Sequence, residues 1–193
     1  MSIHASVLLE ETITGLAPRD GGVYIDATCG LGGHAEALLR ESAPSGRVLA
    51  VDRDPAAIEL ARGRLAAFGD RVAIVEGDFS DLRVYAEASD HFPADGVVAD
   101  LGVSSLQLED PSRGFSFMRD GPLDMRMGPR VGATAAELLE QFEVPDLTRI
   151  LKDFGEERRA HKIASAIVEA RDAGALTSTG ALAGVIERVL GGR

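Results

Sequence analysis

The chain has 193 residues, of which 45% are hydrophobic and 26% charged, and it carries a net charge of −11 at neutral pH. These values are ordinary for a soluble globular protein with one core and at most a small appendage, and the acidity argues against a general polyanion-binding surface, though not against a local basic patch. Cys29 is the only cysteine, which excludes an internal disulfide. The sequence shows neither a secretion signal nor an apolar run long enough to span a membrane. We therefore expect a cytoplasmic location.

The first predicted elements lead into a glycine-rich turn. Residues 5–16 carry apolar side chains at helical spacing and predict a short amphipathic helix packed outside a sheet. Residues 23–25 form an apolar strand that ends at Asp26, and a helix begins near Ala35 after the turn at Gly30 and Gly32. A strand, a glycine-rich turn and a helix form the entry unit of a nucleotide-binding α/β sheet.

The turn also matches the dinucleotide-binding pattern G-x-G-x-x-A, but a tight turn without a ligand explains it equally well. Two acids favour a ligand. Asp26 can face a cation or a donor, and Asp52, about 20 residues beyond the glycines at the end of a second strand, can accept hydrogen bonds from ribose hydroxyls. This pair suits S-adenosylmethionine (SAM) better than NAD, because SAM carries an ammonium and a sulfonium and no pyrophosphate.

Two more strands are predicted over residues 71–75 and 95–100, and Asp54 followed by Pro55 predicts the start of a helix between the second and third strands. Short apolar runs that alternate with helical segments indicate parallel strands buried on both faces. The strand ends carry Asp26, Asp52, Asp78-Phe79 and Asp100. Asp commonly ends strands for local reasons, but a single adenosyl-ligand site at the carboxyl edge explains all four acids together.

A long irregular segment follows over residues 101–130. It contains prolines, glycines, Phe and Met residues, and the arginines Arg113, Arg119, Arg126 and Arg130. Long loops of this composition usually have a function. Two interpretations stay open: contacts with RNA bases and phosphates, or a lid that packs its own Phe and Met side chains over a cofactor.

The remainder of the chain is predicted to be helical. Helices are expected over residues 135–140, 145–154, 156–173 and from Thr179 onward, which together form a small helical subdomain. The charged run over residues 156–162 can contact phosphate, although a solvated helix face is the simpler interpretation.

These motifs resemble the bacterial ribosomal RNA small-subunit cytosine-N4 methyltransferases, also called the MraW family, over nearly the whole chain. The resemblance is carried by His4-x-x-Val7-Leu8-Leu9-x-Glu11, Gly30-x-Gly32-Gly33-His34, Val51-Asp52-Arg53-Asp54-Pro55, Asp100-Leu101-Gly102-Val103-Ser104-Ser105-x-Gln107-Leu108, the block over residues 113–127, and Gly155-Glu156-Glu157-Arg158. The block over residues 113–127 is far more specific than the glycine turn.

The resemblance implies an α/β fold: the Rossmann-like parallel sheet of class I SAM-dependent methyltransferases, here with about four strands, and an inserted all-α subdomain. It places the SAM-binding domain at residues 1–108, the arginine and aromatic loop at 109–133 and the helical insert at 134–193. It also implies cofactor contacts at Gly32, Gly33, His34, Asp52, Phe79, Asp100 and Gln107, with no metal.

Family members are longer and return to the sheet after the helical insert, so the resemblance predicts that this chain is an N-terminal fragment or a truncated product. A sheet of order 3-2-1-4 leaves the fourth strand as an uncovered apolar edge, which favours self-association. The activity of the chain by itself is therefore open. A nicotinamide-dependent oxidoreductase and a non-catalytic SAM-binding or assembly module are the alternative functions.

The implied reaction is SAM-dependent N4-methylation of a cytidine in small-subunit ribosomal RNA, on an unpaired or flipped base. Asp100 is the candidate catalytic residue, because an acceptor for the N4–H would localise the nitrogen lone pair; a role in holding the cofactor alone is the alternative. Residue type suggests Arg113, Phe115, Arg119 and Arg126 as RNA contacts, with Phe117 as a second candidate for stacking on the base.

Overall fold

The computed structural model describes residues 7–128 and 132–191. The chain divides into two compact units, Met1–Gly102 and Val103–Arg193. The irregular segment and the helices that follow it belong to the second unit. The domain boundaries inferred from the sequence, after residues 108 and 133, remain predictions.

A parallel four-stranded sheet organises the first unit. Its strands are β1 (Val23–Asp26), β2 (Arg47–Asp52), β3 (Val72–Glu76) and β4 (Gly96–Val98). They lie in the order β3-β2-β1-β4, which confirms the predicted order. Asp26 pairs in register with Ala50 of β2 on one side and Val98 of β4 on the other, so β1 and β4 end level while β2 extends two residues further, to Asp52.

Four α-helices accompany the sheet in residues 7–102: α1 (Leu9–Leu16), α2 (Gly33–Glu41), α3 (Pro55–Leu65) and α4 (Leu82–Ala88). The predicted start of α3 is confirmed, because the Asp54 side chain accepts from the Ala56 amide at 3.0 Å and Pro55 is the first helical residue. The predicted first helix began at Ala5, which lies outside the described residues; the helix itself begins at Leu9.

Apolar side chains pack on both faces of the sheet. Alternate residues of a strand point to opposite sides, so one strand can contribute to two clusters. Tyr24, Val48 and Ala50 pack on one face in a cluster with Leu38 and Leu65. The other face contributes Ile25, Leu49 and Val51 to a smaller cluster that includes Ala86 of α4. The two central strands, β1 and β2, are therefore buried on both faces, and the carboxyl edge of the sheet is left for the loops.

The second unit is helical in the part that is described, with α5 (Ser105–Glu109), α6 (Ala135–Gln141), α7 (Val144–Asp153), α8 (Ala160–Asp172) and α9 (Thr179–Leu190). Its core is formed by Leu147 of α7, Ile163 and Ile167 of α8, and Val185 of α9.

Two sequence predictions for this unit are wrong. Helix α8 begins at Ala160 rather than residue 156, because Glu156 has a left-handed backbone with φ of 51° that a helix cannot contain. The irregular segment contains the short helix α5, which begins with a capping box between Ser104 and Gln107. That S-x-x-Q pattern is a known helix-start signal and was present in the sequence.

Candidate functional site at the carboxyl edge of the sheet

The predicted acids lie at the carboxyl edge of the sheet. Asp26 and Asp52 are the last residues of β1 and β2, while Asp78 and Asp100 each follow β3 and β4 by two residues. Because the strands are parallel, all four residues lie at the same edge.

Hydrogen bonds connect these strand ends into one continuous network. The Cys29 amide donates to the Val51 carbonyl at 2.9 Å, and the Gly30 amide donates to Asp52 Oδ2 at 2.7 Å. The Asp100 amide donates to Thr28 Oγ1 at 2.7 Å. The turn after β1 is therefore attached to the end of β2 on one side and to the end of β4 on the other.

The Asp52 carboxylate organises the loops around it. Oδ2 accepts from the Gly30 amide, and Oδ1 accepts from the Asp54 amide at 2.9 Å. Each carboxylate oxygen has about two acceptor positions, so one on each oxygen remains for a further donor. The side chain is only half-buried, so such a donor can approach from solvent.

The glycine turn owes its shape to positive φ angles, 51° at Gly30 and 79° at Gly32. The nearest atom to a Cβ built on Gly30 is the Thr28 carbonyl oxygen at 3.9 Å, so one face of the turn is open. Gly33 and His34 lie in the first turn of α2, and the N-cap residue before it, Gly32, has no side chain to cap the helix. The start of this helix thus offers backbone donors next to the turn.

Asp26 occupies a different position from the one expected of an acid facing a ligand. It is fully buried, and its carboxylate accepts from the amides of Thr28, at 3.2 Å, and Ala35. Its pKa is raised to about 7, chiefly by burial and to a smaller extent by the charges of Asp52 and Asp100, against the lowering effect of the two amides. Oδ2 has no hydrogen-bond partner among the described residues. Asp26 therefore stabilises the turn through these two amides, and its Oδ2 remains as an unused acceptor.

His34 and Phe79 border the same edge. His34 is buried, and its Nε2 lies 3.2 Å from the Val7 carbonyl oxygen, so it ties the segment before α1 to the start of α2. Phe79 is about half exposed, with the Arg53 guanidinium 5.9 Å from its ring centre. Arg53 is also ion-paired with Asp78, which orients the loop after β3.

Gln107 lies in the second unit and is buried there. Its Oε1 accepts from the Ser104 amide at 3.0 Å, and its Nε2 donates to the Met127 carbonyl at 3.4 Å. These bonds give Gln107 a structural role at the start of α5. The cofactor contact implied by the resemblance stays a prediction.

The arginines of the irregular segment are engaged within that segment. Arg113 donates to the carbonyls of Arg126 and Met127 at 3.1 and 3.0 Å. Arg126 pairs with Asp124 through two bonds of 2.8 and 2.7 Å, and Arg119 donates to the Glu109 carbonyl at 2.7 Å. Phe115 is half-buried. The geometry stabilises the loop, and the RNA contacts suggested for these four residues remain predictions; Arg130 lies outside the described residues.

Thr28 was not predicted as a residue that shapes the site. Nothing in the sequence near Thr28 indicates that its hydroxyl accepts from an amide 72 residues away. The bond depends on β4 lying directly beside β1, which the strand order decides.

Comparison with known proteins identifies the family. The model of the MraW methylase family matches residues 1–192. The chain belongs to this family. Family membership assigns it to the methylases rather than to nicotinamide-dependent oxidoreductases, and it accords with the parallel α/β sheet of class I methyltransferases.

A curated relative, Ribosomal RNA small subunit methyltransferase H of Pseudoalteromonas atlantica, is 48% identical over 185 residues. The alignment covers 95% of this chain and 59% of the relative, so the chain spans about three-fifths of that protein's length. A crystal structure of a candidate rRNA methylase from Clostridium thermocellum matches 44% of this chain and 47% of its own, at 25% identity and a TM-score of 0.38. Within the described residues, no helix is long and apolar enough to span a membrane.

Proposed function

We propose that this chain binds SAM at the carboxyl edge of the sheet and transfers its methyl group to N4 of a cytidine in small-subunit ribosomal RNA. The observation that carries the proposal is the hydrogen-bonded junction of Asp52, the glycine turn and Asp100 in a chain of a methylase family. The name of the 48% identical relative supports the RNA substrate. That substrate also implies a cytoplasmic location.

The residues at this edge fit the groups of SAM. Asp52 retains acceptor positions for ribose hydroxyls, as the ribose-binding acid does in related sheets. Asp26 retains an unused buried acceptor, Oδ2, which suits a cationic or donor group better than a phosphate. The remaining contacts that the resemblance implies, at Gly32, Gly33, His34, Phe79, Asp100 and Gln107, are part of this proposal.

SAM supplies a methyl group bonded to a sulfonium. In an in-line displacement, the nucleophile bonds to the methyl carbon while the carbon–sulfur bond breaks, and the thioether leaves. Cytosine N4 is a weak nucleophile because its lone pair is delocalised into the ring. Asp100 has an exposed side chain and an amide fixed on Thr28, so its carboxylate can accept the N4–H. As the N–C bond forms, N4 loses a proton, and a carboxylate at this position can receive it.

The base must leave any helical stack to reach this edge. Within the loop, Phe117 is 74% exposed, whereas Phe115 is half-buried, so Phe117 is the better candidate to stack on a base. Among the loop arginines that are described, Arg119 is exposed, whereas Arg113 and Arg126 are half-buried. We therefore assign the first RNA contacts to Phe117 and Arg119.

A non-catalytic SAM-binding or assembly module is the second candidate, because the hydrogen-bonded junction of Asp52, the glycine turn and Asp100 would serve SAM binding with or without methyl transfer. The two functions differ in methyl transfer and share SAM binding. Incubation with SAM labelled in its methyl group and undermethylated small ribosomal subunits distinguishes them: label in the RNA supports the enzyme, and SAM binding without transfer supports the module.

The binding step is tested by calorimetric titration of SAM, with NADH as a control ligand. We expect saturable SAM binding that Asp52→Asn weakens by at least about tenfold, because removing an acceptor for a ribose hydroxyl costs more than about 1 kcal/mol. Asp95→Asn is the matched control. Asp95 also accepts from a backbone amide, that of Val23 at 2.9 Å, but it lies at the opposite edge of the sheet. Equal losses in both variants, or no SAM binding by the folded chain, would contradict the proposal.

A further inference from the structure

We propose that the groove between α7 and α8 binds the phosphate backbone of the RNA, with Phe154 stacking on a base. The α7–α8 patch consists of Arg149, Lys152, Phe154 and His161. This inference rests on the proposed function, since the RNA is its substrate. It adds a phosphate-binding surface on α7 and α8 to the RNA contacts proposed for the loop.

Arg149 and Lys152 have no internal partner among the described residues, whereas each described arginine of the loop has one. Arg113, Arg119 and Arg126 donate to carbonyls or to Asp124. Within the described part of the chain, neither Arg149 nor Lys152 forms a side-chain hydrogen bond or ion pair. Cations without an internal partner can exchange their solvating water for phosphate oxygens at the least cost to the fold.

Three residues of the patch line a groove on the surface of the helices. Arg149 and Lys152, three residues apart on α7, line one groove of about 640 Å³ together with His161 of α8. The Thr148 hydroxyl in the same groove donates to the Val144 carbonyl at 2.6 Å and so offers no donor, and Asp153 adds an opposing charge. Residues 149–162 contain five Lys or Arg and three Asp or Glu, in a chain whose net charge is −11. The local excess of positive charge is what a polyanion would recognise.

An exposed aromatic ring accompanies the cations. Phe154 follows directly after α7 and is 84% exposed, the highest value among the large apolar side chains that are described. Cationic grooves with exposed aromatic side chains bind single-stranded nucleic acid, because phosphates meet the cations and bases stack on the rings. An acidic protein partner would explain the cations but would leave Phe154 unexplained.

The position of Lys152, but not that of Arg149, also has a purely structural explanation. Lys152 lies in the last turn of α7, where a cation interacts favourably with the helix dipole. The test therefore needs a readout that dipole stabilisation does not affect. The dependence of RNA affinity on salt concentration is such a readout, because it counts the phosphates that the protein neutralises.

The experiment measures fluorescence anisotropy of a labelled single-stranded RNA of about 20 mixed nucleotides as salt rises from about 50 to about 200 mM. In the Arg149→Gln/Lys152→Gln variant we expect roughly tenfold weaker binding and a slope of log affinity against log salt that is smaller by about 1.4, or about 0.7 for each lost contact. Phe154→Ala should weaken binding by roughly 5- to 150-fold, and Phe154→Tyr should retain it.

Arg62→Gln/Arg83→Gln is the matched control, because it removes the same charge from exposed helical positions of the first unit. An unchanged salt slope in the patch variant, or an equal loss in this control, overturns the proposal. Self-association that the patch variant abolishes while its RNA affinity stays unchanged assigns the patch to a second copy, and also overturns it.

Calorimetry with SAM on the same variants separates the two proposals. Loss of RNA binding with unchanged SAM affinity supports the patch. RNA binding that depends on the patch in a chain that does not bind SAM supports the patch and contradicts the proposed function. SAM binding without RNA binding by the wild-type chain overturns the patch alone.

Discussion

The amide of Asp100 donates to Thr28 Oγ1 at 2.7 Å, and this bond fixes the segment after β4 to the glycine turn after β1. Thr28→Val keeps the shape of the side chain but removes the acceptor. We expect it to lower the free energy of unfolding by about 1 kcal/mol and SAM affinity by roughly five- to tenfold, because Asp100 loses its anchor. Thr28→Ser retains the hydroxyl and should behave like the wild type. Denaturant unfolding and calorimetry measure both effects, and equal behaviour of the two variants would count against the anchor.

Asp26 makes stability depend on pH. Its pKa is about 7 in the folded chain, against 3.8 as the ordinary value, so the folded state binds the proton more tightly than the unfolded state. The stabilisation is complete below about pH 4 and is lost as the pH rises through about 7. Asp26→Asn stays neutral, so we expect it to be more stable than the wild type at pH 8, by up to about 4 kcal/mol, and nearly equal to it at low pH.

Denaturant unfolding of both proteins between about pH 5 and about pH 8 tests this expectation. His91 is a useful comparison, because burial lowers its pKa below 6.5. Its contribution has the opposite sign: it is present above about pH 6.5 and is lost as the pH falls through the lowered value. His91→Gln should therefore change the pH profile in the opposite direction from Asp26→Asn. Parallel profiles of the wild type and Asp26→Asn would contradict the role of Asp26.

Gly32 and Gly63 respond differently to alanine. Gly32 has φ of 79°, and a Cβ there lies 3.3 Å from the Leu65 side chain, so Gly32→Ala should destabilise the chain by about 1–2 kcal/mol. Gly63 lies within α3 with no atom within 4 Å of the added Cβ, so Gly63→Ala should stabilise it by about 0.5–1 kcal/mol. Thermal unfolding measures both, and a shift of the same sign in the two variants would contradict the assigned backbone roles.

The pairing of Arg126 with Asp124 should stabilise the irregular segment. Arg126 holds the pKa of Asp124 below its ordinary value through two hydrogen bonds, and both side chains are largely covered. We expect Arg126→Gln to lower the unfolding midpoint more than Arg119→Gln, whose single bond is to an exposed carbonyl. Arg119→Gln should instead weaken RNA binding with little effect on stability. The reverse order in thermal unfolding would show that the pair does not support the loop.

Strand β4 forms one edge of the sheet, and Val97 on it is 53% exposed. We expect the chain to self-associate through this edge at high concentration. Val97→Lys should shift the oligomer towards monomer in sedimentation equilibrium, because a charge on an edge strand opposes pairing. Val84→Lys is the control, since Val84 is 62% exposed on α4 and lies outside the sheet. An equal effect of both substitutions would point to general solubility.

The strand pattern, the strand order and most helix bounds followed from the sequence. Buried parallel strands read as short apolar runs, and Asp54 with Pro55 marks a helix start by local chemistry alone. The short helix α5 was not predicted because the prolines and glycines of its segment are typical of a loop, although Ser104 and Gln107 form a capping box. The predicted start of α8 failed because a positive φ at a non-glycine residue leaves no mark in the sequence.

The sequence by itself determined which residue types stand at the carboxyl edge, because the position of an acid after an apolar run is a property of neighbours along the chain. Only the tertiary structure decided what each acid does. Asp26 is buried beneath the turn, Asp52 holds Gly30, and Asp100 is anchored on Thr28 across 72 residues. Likewise, only the tertiary structure shows that the described loop arginines bond within their own loop, whereas Arg149 and Lys152 have no internal partner among the described residues. Burial, pKa and hydrogen-bond partners depend on contacts between distant residues, and those contacts exist only once the strands have been ordered and the helices packed.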